Sequence, residues 1–432
     1  MKIAILILSH VKDEDFQDPR VTKAATALAQ AGHEVVVLGT GKEGRDLSRR
    51  EVADGFLIIR QITPLQRLYN RLAGGSATTG LQGDRLVLDY REKKIAGFGS
   101  RLLARLLMVR HNLNLLLFYF MVIPEAIRQR ADVYVGYDLP GLRAAALAAL
   151  VRKARLVYDS AELWTERVRG MPYCGFQKSL VAWEEKRLSR RCDLVVTMSN
   201  SVARILSERY AIPEPLVIRN IPPLAETSPS PDIRALLTRG KPDRWVVVYV
   251  GFLDYGRGLV QLVDAAEYLE GVTIALLGDG VLRPALEERI KEKRLDDKVH
   301  LVGWVPRAKV LNYVASADVG VSAVERNWLN PYYTLDNKLF DYIMAGIPLA
   351  VSDHPEKRAL VERYGIGVTF DERDPRDIAR AIQSLLADPV RYAHMRANCL
   401  RSAREELNWE MESQKYVAAI EALMQPHQLE SQ

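Results

Sequence analysis

The chain has 432 residues, 48% apolar and 26% charged, with 60 Lys and Arg against 54 Asp and Glu. That length and apolar content argue for two α/β domains, each with its own core, and against one. The charge of +6 suits anionic ligands or lipid headgroups, but the basic residues are dispersed and no aromatic-basic motif appears, so no nucleic-acid role is expected. Cys174, Cys192 and Cys399 are far apart, with no C-x-x-C pair and no histidine cluster, which excludes a zinc site and fits a reducing cytosol.

KIAILIL reads as a first strand, since no small-residue cleavage site follows it. The amphipathic DPRVTKAATALAQAGH reads as a helix and EVVVLG as the next strand, one βαβ unit and hence a parallel sheet. Strands follow at FLIIRQI (56–62), ADVYVGY (131–137), RLVYDS (155–160) and DLVVTMS (193–199), separated by helices such as PGLRAAALAALVRK. Residues 95–123 are the most apolar part of the chain, interrupted by Arg101, Arg105, Arg110 and His111. The uninterrupted section from Leu113 is too short to span a bilayer of roughly 30 Å. Two readings stay open for 95–123: a pair of core helices, or a peripheral membrane contact with Lys93, Lys94, Arg128 and Arg130 toward anionic headgroups.

After PLVIRNIPP, the stretch LAETSPSPDIRALLTRGKPD is rich in Pro, Ser and charge and reads as interdomain. The alternation restarts with WVVVYVG (245–251), VTIALLGDG (272–280), KVHLVGWV (298–305), ADVGVSAV (317–324), PLAVSD (348–353) and GVTF (367–370), a second parallel sheet. The tail WEMESQKYVAAIEALM has helical spacing. The expected domains are 1–221, with a closing helix at about 410–427, and 240–409. Tandem open parallel sheets bind ligands at the carboxyl ends of their strands.

YVGFLDYGRGLVQLVDAA, LLGDG, VHLVGWVP, ADVGVSA and NKLFDYIMAGIPLAVSD in the second half, with SHVKDEDFQDPRVTKAATALAQAGHEVVVLG, VYDSAELWTER and CDLVVTMSNSVARILSERY in the first, come in an order that resembles the GT-B glycosyltransferases of family 4. The resemblance spans almost the whole chain. It implies two Rossmann-like parallel-sheet domains facing a central cleft, with the C-terminal helix crossing back to the N-terminal domain. It further implies a nucleotide-diphosphate sugar as donor, no prosthetic group and no metal, and a glycan or lipid-linked hydroxyl acceptor. Transfer would proceed with retention, in surface polysaccharide or glycolipid assembly, in the cytoplasm or on the inner face of the membrane.

Within that frame, a helix starting near Asp336 leaves free N–H groups and a partial positive charge for a diphosphate, and Lys338 adds a full charge. Asn337 and Asp341 lie four apart on one face, and the resemblance gives Asp341 the ribose hydroxyls. Gly251 and Gly256 permit tight turns, and the resemblance makes Arg257 a cation for the departing diphosphate. Gly278 and Gly280 either let backbone approach the nucleotide or merely make a tight turn, and the resemblance puts Trp304, Val305 and Pro306 beside the base. The chain departs from the family pattern at three positions. Tyr333 stands at the first of two glutamates usually eight apart, Ala161 replaces a histidine, and Phe252 replaces a basic residue. Asp336 or the amides around Leu335 are the candidate substitutes for the first carboxylate, and Lys338 for the missing cation. On the acceptor side Asp138 and Glu162 follow strand ends, with the alternative that Asp138 caps the helix near Pro140. His10 and Asp18 lie on the first loop. Two rival functions remain, a nucleotide-sugar epimerase and a noncatalytic scaffold subunit.

Overall fold

The computed structural model describes residues 1–10, 19–41, 49–65, 98–166, 175–327 and 329–425, so Asp18 lies outside the described residues. The chain forms two compact units. One comprises Met1–Met198, Val202–Ile218 and the segment from Ser413; the other comprises Ser199–Ser201 and Arg219–Glu412.

The first unit is built on β1 (Lys2–His10), β2 (Glu34–Thr40), β3 (Arg50–Ala53), β4 (Phe56–Gln61), β5 (Val133–Tyr137), β6 (Arg155–Ser160), β7 (Leu194–Thr197) and β8 (Leu216–Val217). Their order is β3-β4-β2-β1-β5-β6-β7-β8. Successive residues Ile3, Ala4, Ile5 and Leu6 are all buried, as expected where helices cover both faces of a parallel sheet. The sequence reading missed two edge strands, the short β8 and the antiparallel β3. The β3–β4 hairpin turns at Asp54 (φ 52°) and Gly55 (φ 84°), the Asp-Gly pair that a two-residue turn with both central φ positive requires.

Residues 98–123 belong to one helix, Phe98–Gln129, rather than to two. Phe118, Val122 and Ala126 are buried while Leu116 and Phe120 are exposed, so the helix is half core and half surface. Among the described residues no helix is long and apolar enough to cross a membrane. Arg20 lies buried at the start of the helix Pro19–Gln30; its guanidinium donates twice to Asp159 on β6 (2.9 and 3.1 Å to Oδ1) and once to the carbonyl of Ile218 (2.6 Å). The helix Trp409–Ala422 begins in the second unit and from Ser413 belongs to the first. There Tyr416 is buried and Glu421 pairs with His33 at 3.0 Å.

The second unit has β9 (Trp245–Val250), β10 (Val272–Leu277), β11 (Val299–Gly303), β12 (Val319–Ser322), β13 (Leu349–Ser352) and β14 (Gly367–Phe370), all parallel, in the order β11-β10-β9-β12-β13-β14. The Pro- and Ser-rich stretch read as interdomain carries the helix Pro231–Leu237 and belongs to this unit. Ser230 caps that helix through Ile233 N–H, Leu237 is fully buried, and Arg234 pairs with Asp318 at 3.1 Å. Local composition cannot reveal these contacts, because Asp318 is distant in sequence.

Candidate functional site

The helix Asn337–Met344 leaves the β12 side of the sheet and runs under it, with every residue from Lys338 to Met344 buried. Tyr342 anchors it: the ring lies against Gly320, where a Cβ would come within 2.2 Å of Tyr342 Cγ, and its hydroxyl donates to Val321 O at 3.1 Å. Asp336 occupies the N-cap position with extended backbone (φ −70°, ψ 138°), yet its side chain does not cap the first-turn amides. The carboxylate instead accepts from Ser322 Oγ at 2.6 Å, pairs with Lys357 Nζ at 3.1 Å and stands 3.7 Å from Arg257 Nη1. Burial alone would raise the Asp336 pKa, but Lys357, Lys338 and Arg257 hold it well below the usual carboxylate range. No side chain caps the first turn, and its Leu339 N–H is taken by the Asp336 carbonyl at 3.0 Å.

Lys338 projects from that first turn into the interior, and its Nζ is buried with no hydrogen-bond acceptor among the described residues. It sits 4.0 Å above the centroid of the Tyr249 ring and 3.5 Å from where a Cβ on Gly251 would lie. Burial, helped by the charges of Arg257 and Lys357, pushes its pKa down to about 7, against the pull of Asp336. Asp336, the anion that pulls on it, also serves Lys357 and Arg257, and a buried ammonium without a hydrogen-bond acceptor is costly. Below this layer His354 is fully buried, its ring 4.8 Å from that of Tyr332 and its Nε2 3.7 Å from Glu372, which Arg326 holds at 2.8 Å. Burial and the neighbouring Lys357 bring the His354 pKa down to about 4, so the ring is neutral at pH 7.

The sequence candidates distribute unevenly around this cluster. Arg257, Lys338, Asp336 and Gly251 come together there. Leu335 is buried, and Asn337 is exposed at the helix start. Asp341, also buried, does not share the exposure of Asn337: both its oxygens accept from Arg307, at 2.6 and 2.7 Å, and Arg307 is itself largely exposed. Trp304 is exposed and Val305 packs on the core. Gly278 (φ 140°) and Gly280 serve loop packing, since Cβ atoms there would fall 1.9 Å from Gly251 O and 2.5 Å from Leu253 O. The Gly278 N–H is already taken by Gly303 O.

In the first unit Asp138 has φ 51° and directly follows β5. It does not cap its helix: the N-cap position is Tyr137, and Asp138 Oδ1 accepts the Ala161 N–H at 3.0 Å, tying the ends of β5 and β6 together. A non-glycine residue in the left-handed region stores strain of the kind found at functional sites. Glu162 is half-buried, and its carbonyl accepts from Ser160 Oγ. Nothing is described of the His10 side chain. A cavity of about 350 Å³ lined by Asp132, Arg152, Lys153 and Arg155 lies at the amino ends of β5 and β6, away from all these residues. Among the described residues no group of His, Cys, Asp and Glu could hold a metal.

The sequence reading overlooked Tyr249, Ser322, His354, Lys357, Glu372 and Arg307. Lys357 and Glu372 follow β13 and β14 closely, so the rule that places sites at strand carboxyl ends could have flagged them.

Two parallel-sheet α/β units with charged residues at the strand ends define the class of GT-B glycosyltransferase folds. Residues 17–221 match the Glycosyl transferase 4-like domain and residues 244–388 the Glycosyl transferases group 1 model. The chain belongs to the GT-B glycosyltransferases of this family. It is 24% identical over 416 residues to a protein named glycogen synthase in Mycobacterium tuberculosis, covering 93% of this chain and 91% of the relative. It is 24% identical over 315 residues to 2-deoxystreptamine N-acetyl-D-glucosaminyltransferase of Streptomyces fradiae, covering 59% of this chain and 73% of the relative. Similar solved structures include Anabaena HepE in complex with UDP (TM-score 0.68, 14% identity, 98% of this chain and all of that one). Sucrose-phosphate synthase from Thermosynechococcus elongatus is also similar (TM-score 0.71, 18% identity, 98% of this chain and 99% of that one).

Proposed function

We propose that the chain transfers a sugar from a nucleotide-diphosphate donor to a hydroxyl on a glycan or lipid-linked acceptor, with retention, in surface polysaccharide or glycolipid assembly. Residues 240–409 bind the donor; residues 1–221, with the closing helix 410–427, bind the acceptor and contact the membrane peripherally through 95–123. The observation that carries the reading is the Lys338 ammonium, buried, without an acceptor and beside an uncapped helix N-terminus. A diphosphate supplies the missing acceptor.

As the glycosidic bond breaks, its electron pair goes to the leaving phosphate oxygen, and Arg257, Lys338 and the first-turn amides stabilise that charge. The acceptor hydroxyl attacks from the same face and passes its proton to the leaving phosphate, so no histidine is needed where Ala161 stands. Asp336 is the organising anion that holds Lys357 and Arg257 in place. Asp341 binds the ribose through lone pairs that Arg307 leaves unused, Trp304 and Val305 border the base, and Asp138 and Glu162 line the acceptor side.

Thermal-shift screening against UDP-, GDP-, ADP- and dTDP-sugars tests the donor site, because a ligand of the folded state raises apparent stability. Purified protein is then assayed with the stabilising donor. Sugar isomerised without acceptor identifies an epimerase, and a stabilising donor that is never turned over identifies a scaffold.

A further inference from the structure

Asp336 faces three cations and serves them unequally. Its Oδ2 accepts from the Ser322 hydroxyl at 2.6 Å and lies 3.1 Å from the Lys357 ammonium, while Oδ1 stands 3.7 Å from Arg257 Nη1. Lys338, two residues further along the chain, has no hydrogen-bond acceptor among the described residues and rests on the Tyr249 ring, 4.0 Å from its centroid. That ring is fixed, since its hydroxyl donates to the Phe252 carbonyl at 2.9 Å. Opposite charges in a buried, low-dielectric setting attract strongly, so an ammonium and a carboxylate this close in the chain stay unjoined only if other groups hold them apart.

Two buried groups grip Asp336, and both act on the same oxygen. Ser322 is fully buried at the end of β12, and its backbone is anchored because its carbonyl accepts from Ser352 Oγ at 3.2 Å. Lys357 is fully buried in the first turn of the helix Pro355–Tyr364, and its approach to Asp336 is an ion pair without an aligned hydrogen bond. One grip is directional and the other is a matter of charge. A carboxylate released from them would turn to the ammonium of Lys338, which lacks an acceptor, and would fill with the protein's own anion the place that a phosphate has to take.

We propose that Ser322 and Lys357 are positioning residues that hold Asp336 away from Lys338, so that this tethered carboxylate does not compete with the phosphate of the donor. This role rests on the donor reading above and adds a condition to it: the cations form an anion site only while the internal anion is turned aside. A protein in which Asp336 occupies the site binds phosphate more weakly in proportion to that occupancy. Both positioning side chains are fully buried, so they act on a ligand through Asp336. Removing the Lys357 charge also weakens the field on a bound anion, whereas Ser322→Ala removes no charge and isolates the restraint.

The experiment combines isothermal titration of the full chain with inorganic pyrophosphate and thermal melting of the unliganded protein slightly below pH 7. Ser322→Ala should weaken pyrophosphate binding about tenfold, the effect of releasing a hydrogen bond to a charged group, and Lys357→Met at least as much. In a Lys338→Met background Ser322→Ala should change that affinity by less than about twofold, because Asp336 has no ammonium left to occupy. Without ligand, the rise in melting temperature that Lys338→Met brings should be lost in the Ser322→Ala background, where Asp336 already serves the ammonium. An undiminished rise there overturns the proposal, and so does equal affinity of Ser322→Ala and a wild type that binds pyrophosphate. A wild type that ignores pyrophosphate yet shows the ligand-free coupling supports the restraint and counts against the donor reading alone. Pyrophosphate binding that needs Lys338 but neither Ser322 nor Lys357 keeps the donor reading and overturns the restraint.

Discussion

Replacing Lys338 with methionine keeps the length of the side chain and removes its charge. In the folded protein burial brings the Lys338 pKa from 10.5 to about 7, a difference worth roughly 5 kcal/mol against the folded state. Relaxation and water entry will leave only part of that, about 1–3 kcal/mol. The sign follows from proton counting. Below pH 7 both folded and unfolded chains carry the proton and the cost is complete; between about 7 and 10.5 the folded state sheds it first, so the cost fades as pH rises. Lys338→Met should therefore melt higher than the wild type at pH 6.5, by roughly 3–10 °C for a unit of this size, and the gain should disappear toward pH 10.5. Lys357, Arg257 and Ser322 remain to hold Asp336. The same variant should lose affinity for UDP and slow transfer by roughly 10²–10³, the usual loss when one group stabilising a leaving anion is removed. Scanning calorimetry across pH and UDP titration by isothermal calorimetry read the two effects separately. A variant that melts no higher than the wild type while binding UDP equally well would refute the idea that this ammonium is stored for a phosphate.

Arg257→Ala should slow transfer by roughly 10²-fold with the melting temperature nearly unchanged, since Arg257 reaches Asp336 only at 3.7 Å; wild-type rates would remove it from the mechanism. Asp341→Ala should weaken UDP binding on the order of tenfold by calorimetry while the exposed Arg307 turns to solvent, and equal binding would leave Asp341 as an anchor for Arg307 alone. Gly278→Ala puts a Cβ 1.9 Å from Gly251 O at a φ of 140°, so stability should fall by about 2–4 kcal/mol in urea unfolding; an unaffected midpoint would show that this loop yields freely.

The donor cluster is partly legible in the amino-acid sequence. Lys338 and Asp336 stand out because charged residues at the start of a short helix, after a buried strand, have an anion as their plainest reason to be there. Arg257 owes its place to the glycines on either side of it: Gly258, at φ 63°, approaches Ala323 O so closely that a Cβ would lie 1.9 Å away. The partners of these residues are not legible. Lys357 reaches Asp336 from 21 positions further along the chain, and Arg307 reaches Asp341 from 34 positions before it. Position just after β13 marks Lys357 as a site candidate without naming its partner, and no local pattern distinguishes Arg307 from a solvated surface cation.

By itself the sequence determined the two alternating runs of strand and helix and the closing helix, because buried parallel strands demand unbroken apolar runs and amphipathic helices keep a period of their own. Only the tertiary structure decided which ions neutralise one another, that Gly278 packs against the neighbouring loop, and that Asp138 ties two strand ends instead of capping a helix. Those outcomes depend on distances across the fold. Electrostatic and steric energies fall steeply with such distances, and order along the chain does not record them.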